Sequence, residues 1–211
     1  MWLLEAIDVH ADGLKRAALT AGPTAPVPNC PKWIVHDLVS HIAFVHGFAV
    51  GLAVNRPVRP EPPKDWADVL GWWDGQRLAL REALGRDPGT PAFSPYPGFA
   101  ATVGDWTRRM AHETAIHRLD AESALANALA NALPTRFSTR FANDGVDEFL
   151  TYLTPRLGKK ADVRVTTPER TWTLGEPKAE LDGTADDVYR ALWGRPHQAS
   201  VRGDLAPLAA P

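Results

Sequence analysis

The 211-residue chain holds one cysteine, Cys30, and two methionines. A lone cysteine excludes an intrachain disulfide, and a reducing cytoplasm is the expected compartment. An excess of one charge is lacking too. Lys and Arg number 23 against 25 acids, for a net charge of −2. No basic face is on offer to nucleic acid or to an anionic membrane surface. The opening stretch carries Glu5 and Asp8 and no basic segment, so no signal peptide is expected. No unbroken apolar run approaches the roughly 20 residues that span a bilayer. What is left is ordinary globular composition, 45% apolar and 23% charged. It fits one large domain, or a medium one with a smaller one attached.

Breakers divide the chain into amphipathic segments. Residues 3–21 read as a first helix, with Leu3, Ile7, Leu14, Ala18 and Leu19 on one side. Gly22 and a Pro-rich run end it. A second helix is expected over 32–54, with Pro31 near its first turn, where the missing N–H costs nothing. Cys30, close to that start, reads either as a thiol of lowered pKa or as a small buried residue. Asn55 to Pro63 is a loop. A third helix follows from Asp65, its N-cap, to Leu84, with Trp66, Val69, Leu70, Trp73, Leu78 and Leu80 as apolar surface. The Gly/Pro-rich stretch 86–104, bearing Phe93, Tyr96 and Phe99, reads as a binding loop or as packed wrapping.

A fourth helix is expected over 105–127, closed by an Ala/Asn-rich tail and Leu133-Pro134. Residues 139–157 suit a fifth. Strand-like segments follow at 163–167, 171–174 and 179–181, with separators that suit a short meander. A helix from Thr184 to Trp193 and a last strand within 197–201 complete the chain. The pattern predicts a mainly α protein: a helical bundle over 1–135, then a fifth helix and a small α+β domain over 136–211.

Two of these helices place polar groups where Leu is called for. In the fourth, Trp106, Met110, Glu113, His117, Ala121 and Ala124 recur at spacings of three and four, one stripe of a helix. Glu113 and His117, four residues apart, lie nearly one above the other. In the second, His41 interrupts the stripe Ile34, Leu38, Ile42, Val45, Phe48, Leu52. Burying such groups unpaired costs several kcal/mol, and a metal cation shared between facing helices compensates all three. An intrahelical Glu–His hydrogen bond is the plain alternative. The spacing is not that of the metalloprotease motif, because His112 and His117 are five apart, about 140° around the helix. By the same geometry His36 and His46 leave the face of His41 and read as solvated surface or groove residues. Asp37, one turn before His41, and Asp120, three residues after His117, are candidates to orient imidazoles.

Three stretches together resemble the mycothiol-dependent maleylpyruvate isomerase family. They are Cys30-Pro31-Lys32-Trp33-Ile34-Val35-His36-Asp37-Leu38-Val39-Ser40-His41, Arg109-Met110-Ala111-His112-Glu113-Thr114-Ala115-Ile116-His117-Arg118-Leu119-Asp120-Ala121, and Leu192-Trp193-Gly194-Arg195-Pro196 with Arg202-Gly203-Asp204. Lys32 stands where the family often has glycine. The resemblance implies a DinB-like four-helix bundle followed by a small C-terminal domain. It also implies a divalent metal, usually zinc, on the residues matching His41, Glu113 and His117, the positions the stripes single out.

The resemblance further implies mycothiol, a small-molecule thiol of actinobacteria, as cosubstrate. In the isomerase the thiolate adds to a conjugated double bond, and rotation and elimination turn maleylpyruvate into fumarylpyruvate. Two His and one carboxylate leave coordination positions open, as in a catalytic zinc site, where the metal stabilises a deprotonated sulfur. Arg195 is a candidate to reach a substrate carboxylate, against the plainer reading of an Arg after a helix stop. Two function classes follow. One is a metal-dependent thiol enzyme, isomerase or mycothiol S-transferase, working on a small electrophile as monomer or homodimer. The other is a non-catalytic bundle that binds a metal or a small ligand; a coordination shell completed by His46 or His112 would mark it.

Overall fold

The computed structural model describes residues 2–128 and 134–208, in two compact units, Met1–Thr135 and Arg136–Pro211. The first holds four long helices, α1 (Trp2–Ala21), α2 (Val35–Ala53), α3 (Trp66–Leu84) and α4 (Val103–Ala128). The Ala/Asn-rich tail expected to close α4 falls largely at 129–133, outside the described residues. α1 lies along α4, α2 along α3, and α2 also against α4. Leu14, Leu38, Ile42 and Trp73 are fully buried between them, each worth about 1.5–3 kcal/mol relative to exposure. Leu19 and Leu78, expected on apolar stripes, are instead exposed. α2 is long and apolar enough to cross a membrane by composition, yet half of that window is buried inside the protein. Its apolarity is that of a central helix packed on two sides.

That two-sided packing corrects the reading of His46. The buried face of α2 is broad, running through Leu38, Ile42, His46 and Ala49, and His46 has no exposed surface. A neutral imidazole carries one acceptor and one donor nitrogen. Nδ1 accepts from Trp73 Nε1 at 3.1 Å, so Nε2 holds the proton and donates to Thr114 Oγ1 at 2.9 Å. The Thr114 hydroxyl donates onward to the Met110 carbonyl at 2.6 Å. One relay thus ties α3, α2 and α4, and burial drives the His46 pKa down to about 3.

The start of α2 also differs. The expected helix at 32 begins at Val35, because Pro31 occupies the second position of a β-turn in which Trp33 N–H donates to the Cys30 carbonyl at 2.8 Å. Proline is favoured there as much as at a helix start. Val27 N–H bonds the Trp33 carbonyl and Val35 N–H the Ala25 carbonyl. Residues 25–35 are therefore a tight strap that lays Asn29, Cys30 and Trp33 beside α4. Within 86–104, β1 (Pro91–Ala92) pairs antiparallel with β2 (Ala101–Thr102). Phe93 N–H is anchored to the Leu52 carbonyl, and Thr102 with Asp105 caps α4 reciprocally.

In the second unit, α5 (Thr139–Asp147) runs into a π-helical segment (Glu148–Leu153) and the single turn α6 (Thr154–Arg156). Thr154 donates both its N–H and its hydroxyl to the Phe149 carbonyl five residues back, and Pro155 has no N–H to continue the α pattern. β3 (Val163–Thr166), β4 (Thr171–Leu174), β5 (Ala179–Asp182) and β6 (Ser200–Arg202) form one sheet in the order β4-β3-β5-β6, with α7 (Ala185–Leu192) between β5 and β6 in sequence. The expected meander is corrected, since β3 and β5 are parallel. The link from β4 passes the end of β3 at Asp162, whose carbonyl takes the Lys178 and Ala179 amides and whose carboxylate takes the Glu176 amide. Gly175 turns there at φ +58°. The last strand sits at 200–202 instead of within 197–201.

The buried relay predicts two stability effects. Thr114→Val leaves His46 Nε2–H without an acceptor and lowers stability in urea denaturation by about 1–3 kcal/mol. His46 and His10, the latter held to about 4 by burial and by Arg118 and His112, bind protons in the unfolded state well before the native one. Stability therefore declines as pH falls below about 6.5, which thermal melts across that range will register.

Candidate metal centre

The site lies in the first unit, where α2 crosses α4. Glu113 and His117 project one turn apart from α4, and His41 meets them from α2. Glu113 Oε1 stands 3.2 Å from His41 Nε2 and 3.3 Å from His117 Nε2. All three atoms lie within 4.8 Å of one another. Among the described residues this is the one cluster of that kind. The two imidazoles meet edge to face, centroids 4.8 Å apart, and the Trp33 ring leans on both, at 4.9 Å from His41 and 5.9 Å from His117.

Each member is held from behind. Glu113 Oε2 accepts from Arg109 Nη2 at 2.9 Å, one helical turn earlier and nearly buried. His117 Nδ1 donates to Asp120 Oδ2 at 2.9 Å, and Asp120 is fully buried. The strap completes Asp120: Asn29 Nδ2 donates to Oδ1 at 3.0 Å, and the Cys30 thiol sits 3.7 Å from Oδ2. Arg109, Asn29 and Trp33 were not singled out in the sequence. Arg109 was within reach, four residues before Glu113 on the same face; Asn29 and Trp33 depend on the fold of the strap.

Asp37 takes a different part from the one expected. Its carboxylate accepts the Ile34 amide at 3.0 Å and caps α2, a demand every helix start makes on its unsatisfied N–H groups. Arg195 belongs to the second unit, where its guanidinium donates to the Trp193 carbonyl just after α7. His46, engaged with Trp73 and Thr114, is no candidate to complete the cluster.

The electrostatics follow from burial set against hydrogen bonds. Burial alone would raise the Glu113 pKa. The hydrogen bonds from His117 and His41, with the Arg109 charge, outweigh it and hold Glu113 well below the ordinary carboxylate range. Burial likewise depresses His117, but Asp120 and Glu113 reverse this and push it up to about 9. In the metal-free protein His117 is thus an imidazolium donating from both nitrogens. Two imidazole nitrogens and one carboxylate oxygen are a donor set that suits a borderline divalent cation such as zinc. The Asp120 contact to the far nitrogen of His117 is the outer support that ligating imidazoles commonly have. The residues fit a metal.

Comparison with known proteins places the chain. Residues 3–122 match the mycothiol maleylpyruvate isomerase N-terminal domain, and residues 140–210 match the C-terminal domain of the same proteins. The chain belongs to the mycothiol-dependent maleylpyruvate isomerase family. Among solved structures it is similar to the crystal structure of mycothiol-dependent maleylpyruvate isomerase, at 12% identity, and to that of a histidine-to-alanine mutant of the enzyme, at 11%. Each aligns with a TM-score of 0.66 over 97% of this chain and 94% of its own. At that identity the likeness establishes the fold, a DinB-like bundle followed by a small α+β domain. No curated protein sequence matches the chain significantly.

The raised His117 pKa carries a signed prediction. A folded value of about 9 against roughly 6.5 unfolded stabilises the metal-free protein fully below pH 6.5. That contribution is lost as pH rises toward 9. A bound divalent metal takes the proton's place, so binding releases a proton and tightens by up to about tenfold per pH unit below 9. Calorimetric titration of zinc in buffers of different ionisation enthalpy will count that proton. Thermal melts with zinc present will lose the alkaline decline.

Proposed function

We propose that this chain is a metal-dependent enzyme of its family that activates a small-molecule thiol, mycothiol, for addition to or transfer onto an electrophilic substrate. The reaction is a maleylpyruvate isomerase-like cis–trans isomerisation or a mycothiol S-transfer. The observation that carries this reading is the convergence of His41 Nε2, Glu113 Oε1 and His117 Nε2. His41, Glu113 and His117 would hold the ion, zinc by donor chemistry, and when bound it supplies Lewis acidity that favours a thiol's deprotonated form near neutral pH.

The chain's own residues have separate tasks. Arg109 fixes the second Glu113 oxygen, so that only Oε1 faces the imidazoles. Asp120 holds His117 by Nδ1 and leaves Nε2 for the site. The nucleophilic sulfur comes from outside: Cys30, the only cysteine, has its thiol turned to the carboxylate of Asp120, behind His117.

Metal content of the purified protein, beside His41→Ala/Glu113→Ala/His117→Ala, tests the reading directly. One equivalent of zinc in the wild type is expected, absent from the variant, with mycothiol binding lost in parallel. Turnover of maleylpyruvate or conjugation of an electrophile then tells isomerase from transferase. A wild type that takes up no divalent metal on reconstitution leaves the three residues as a buried polar cluster and defeats the proposal.

A further inference from the structure

We propose that the groove beside His41 binds a carboxylate of the electrophilic substrate, with Arg59 as its anchor and Lys32 as the second cation. The groove is shallow and open to solvent, with a volume of about 580 Å³, Trp33 and Phe44 on its walls and Ser40 as a neutral donor. His41 belongs to both places, lining the groove while its Nε2 faces Glu113. A small molecule in the groove is therefore next to the triad. The inference rests on the reading of the triad as the reacting centre.

The position of Arg59 is built into α2. Gly47 and Gly51, four residues apart, lie on one face of that helix. A Cβ at Gly51 would stand 2.7 Å from the Arg56 carbonyl and 3.0 Å from the Val58 nitrogen; one at Gly47 would stand 3.1 Å from Pro60. Arg56 N–H bonds the Gly51 carbonyl at 2.8 Å. The two glycines let the 56–60 loop lie directly on α2, and the loop's prolines restrict its backbone. The Arg59 guanidinium is thereby set over the Phe44 ring, 5.5 Å from its centroid.

The charges then select the ligand. Among the described residues neither Lys32 nor Arg59 has an ion-pair partner. The carboxylate in the groove, Asp37, is committed to the Ile34 amide. Its charge offsets one cation and leaves the groove net positive on a chain of net charge −2. A guanidinium fork resting on a ring, with its N–H edge open, matches the two oxygens of a carboxylate. A thiol's polar neutral groups gain nothing comparable from it.

Maleate titrated into metal-stripped protein tests this without turnover and without a metal for the probe to ligate. Binding is followed by NMR at the Trp33 indole and Ser40 amide. Wild type is expected to bind maleate and to discriminate against the neutral maleamide. Arg59→Gln should weaken maleate about tenfold, and Lys32→Gln/Arg59→Gln further. Arg59→Lys should fall between, and Arg56→Gln, in the same loop but outside the groove, should match wild type. Equal affinity in wild type and the double variant, maleamide binding as well as maleate, or an equal loss from Arg56→Gln each overturns the proposal. So does a wild type that binds no maleate up to its solubility limit. Zinc uptake by the same variants should be unchanged. A protein that takes no zinc yet loses maleate through Arg59 would sink the thiol-enzyme reading and leave the groove standing.

Discussion

The constraint on which the first unit depends is the burial of the Glu113 carboxylate between α4 and α2. A charge removed from water costs several kcal/mol unless it is paired and hydrogen-bonded. Here both oxygens are answered, Oε2 by Arg109 and Oε1 by two imidazoles. Meeting that demand fixes the height at which α2 crosses α4, because His41 reaches Glu113 from one level only. The neighbouring residue, Thr114, makes the second tie through His46. Two polar bonds on adjacent residues of α4 thus set the register of α2, while apolar packing, which is tolerant of sliding, supplies the bulk of the stabilisation.

Much of this was legible in the chain because the cost of burying a carboxylate or an imidazole is independent of fold. Polar residues inside an apolar stripe must meet partners, and the stripe containing Glu113 and His117 is buried or half-buried as drawn. The four long helices were legible for the same reason of period. What failed did so at points where one dimension is ambiguous. A single stripe assumes one buried face, and α2 has a broad one, so His46 was read as outside and is inside. Pro31 is equally at home in a first helical turn and at the second position of a β-turn, and only the bonds from Val27 and Val35 choose the turn. The order β4-β3-β5-β6 depends on a link bridging the end of β3 at Asp162, which no periodicity encodes.

The strap from 25 to 35 connects the two levels. It is short and held by four backbone bonds, and it delivers Asn29 and Cys30 to one carboxylate and Trp33 to two imidazoles. Asp120 is buried on α4, yet its orientation is decided by residues 91 and 90 positions earlier in the chain. Its bond to Nδ1 decides in turn which nitrogen of His117 faces Glu113. The chain of cause runs from turn chemistry at Pro31, through a buried carboxylate, to the orientation of an imidazole ring.

The same strap makes the cluster one-sided. Side-chain exposure rises from 10% at His117 to 17% at Glu113 and 32% at His41. Behind His117 stand Asp120 and the strap, and behind Glu113 stands Arg109, so neither flank admits a ligand. The Phe93 anchor is at Leu52, 11 residues and about 16 Å along α2 from His41, so the base of the 86–104 loop does not cover this opening. Anything arriving from solvent meets His41 first, over the face of Trp33. The site is closed at its charged rear, where Arg109 and Asp120 fix Glu113 and His117, and open at its least constrained imidazole. Rigid support behind the polar atoms and access from one side only follow from where the strap and Arg109 pack, with no demand on the apolar core of the bundle.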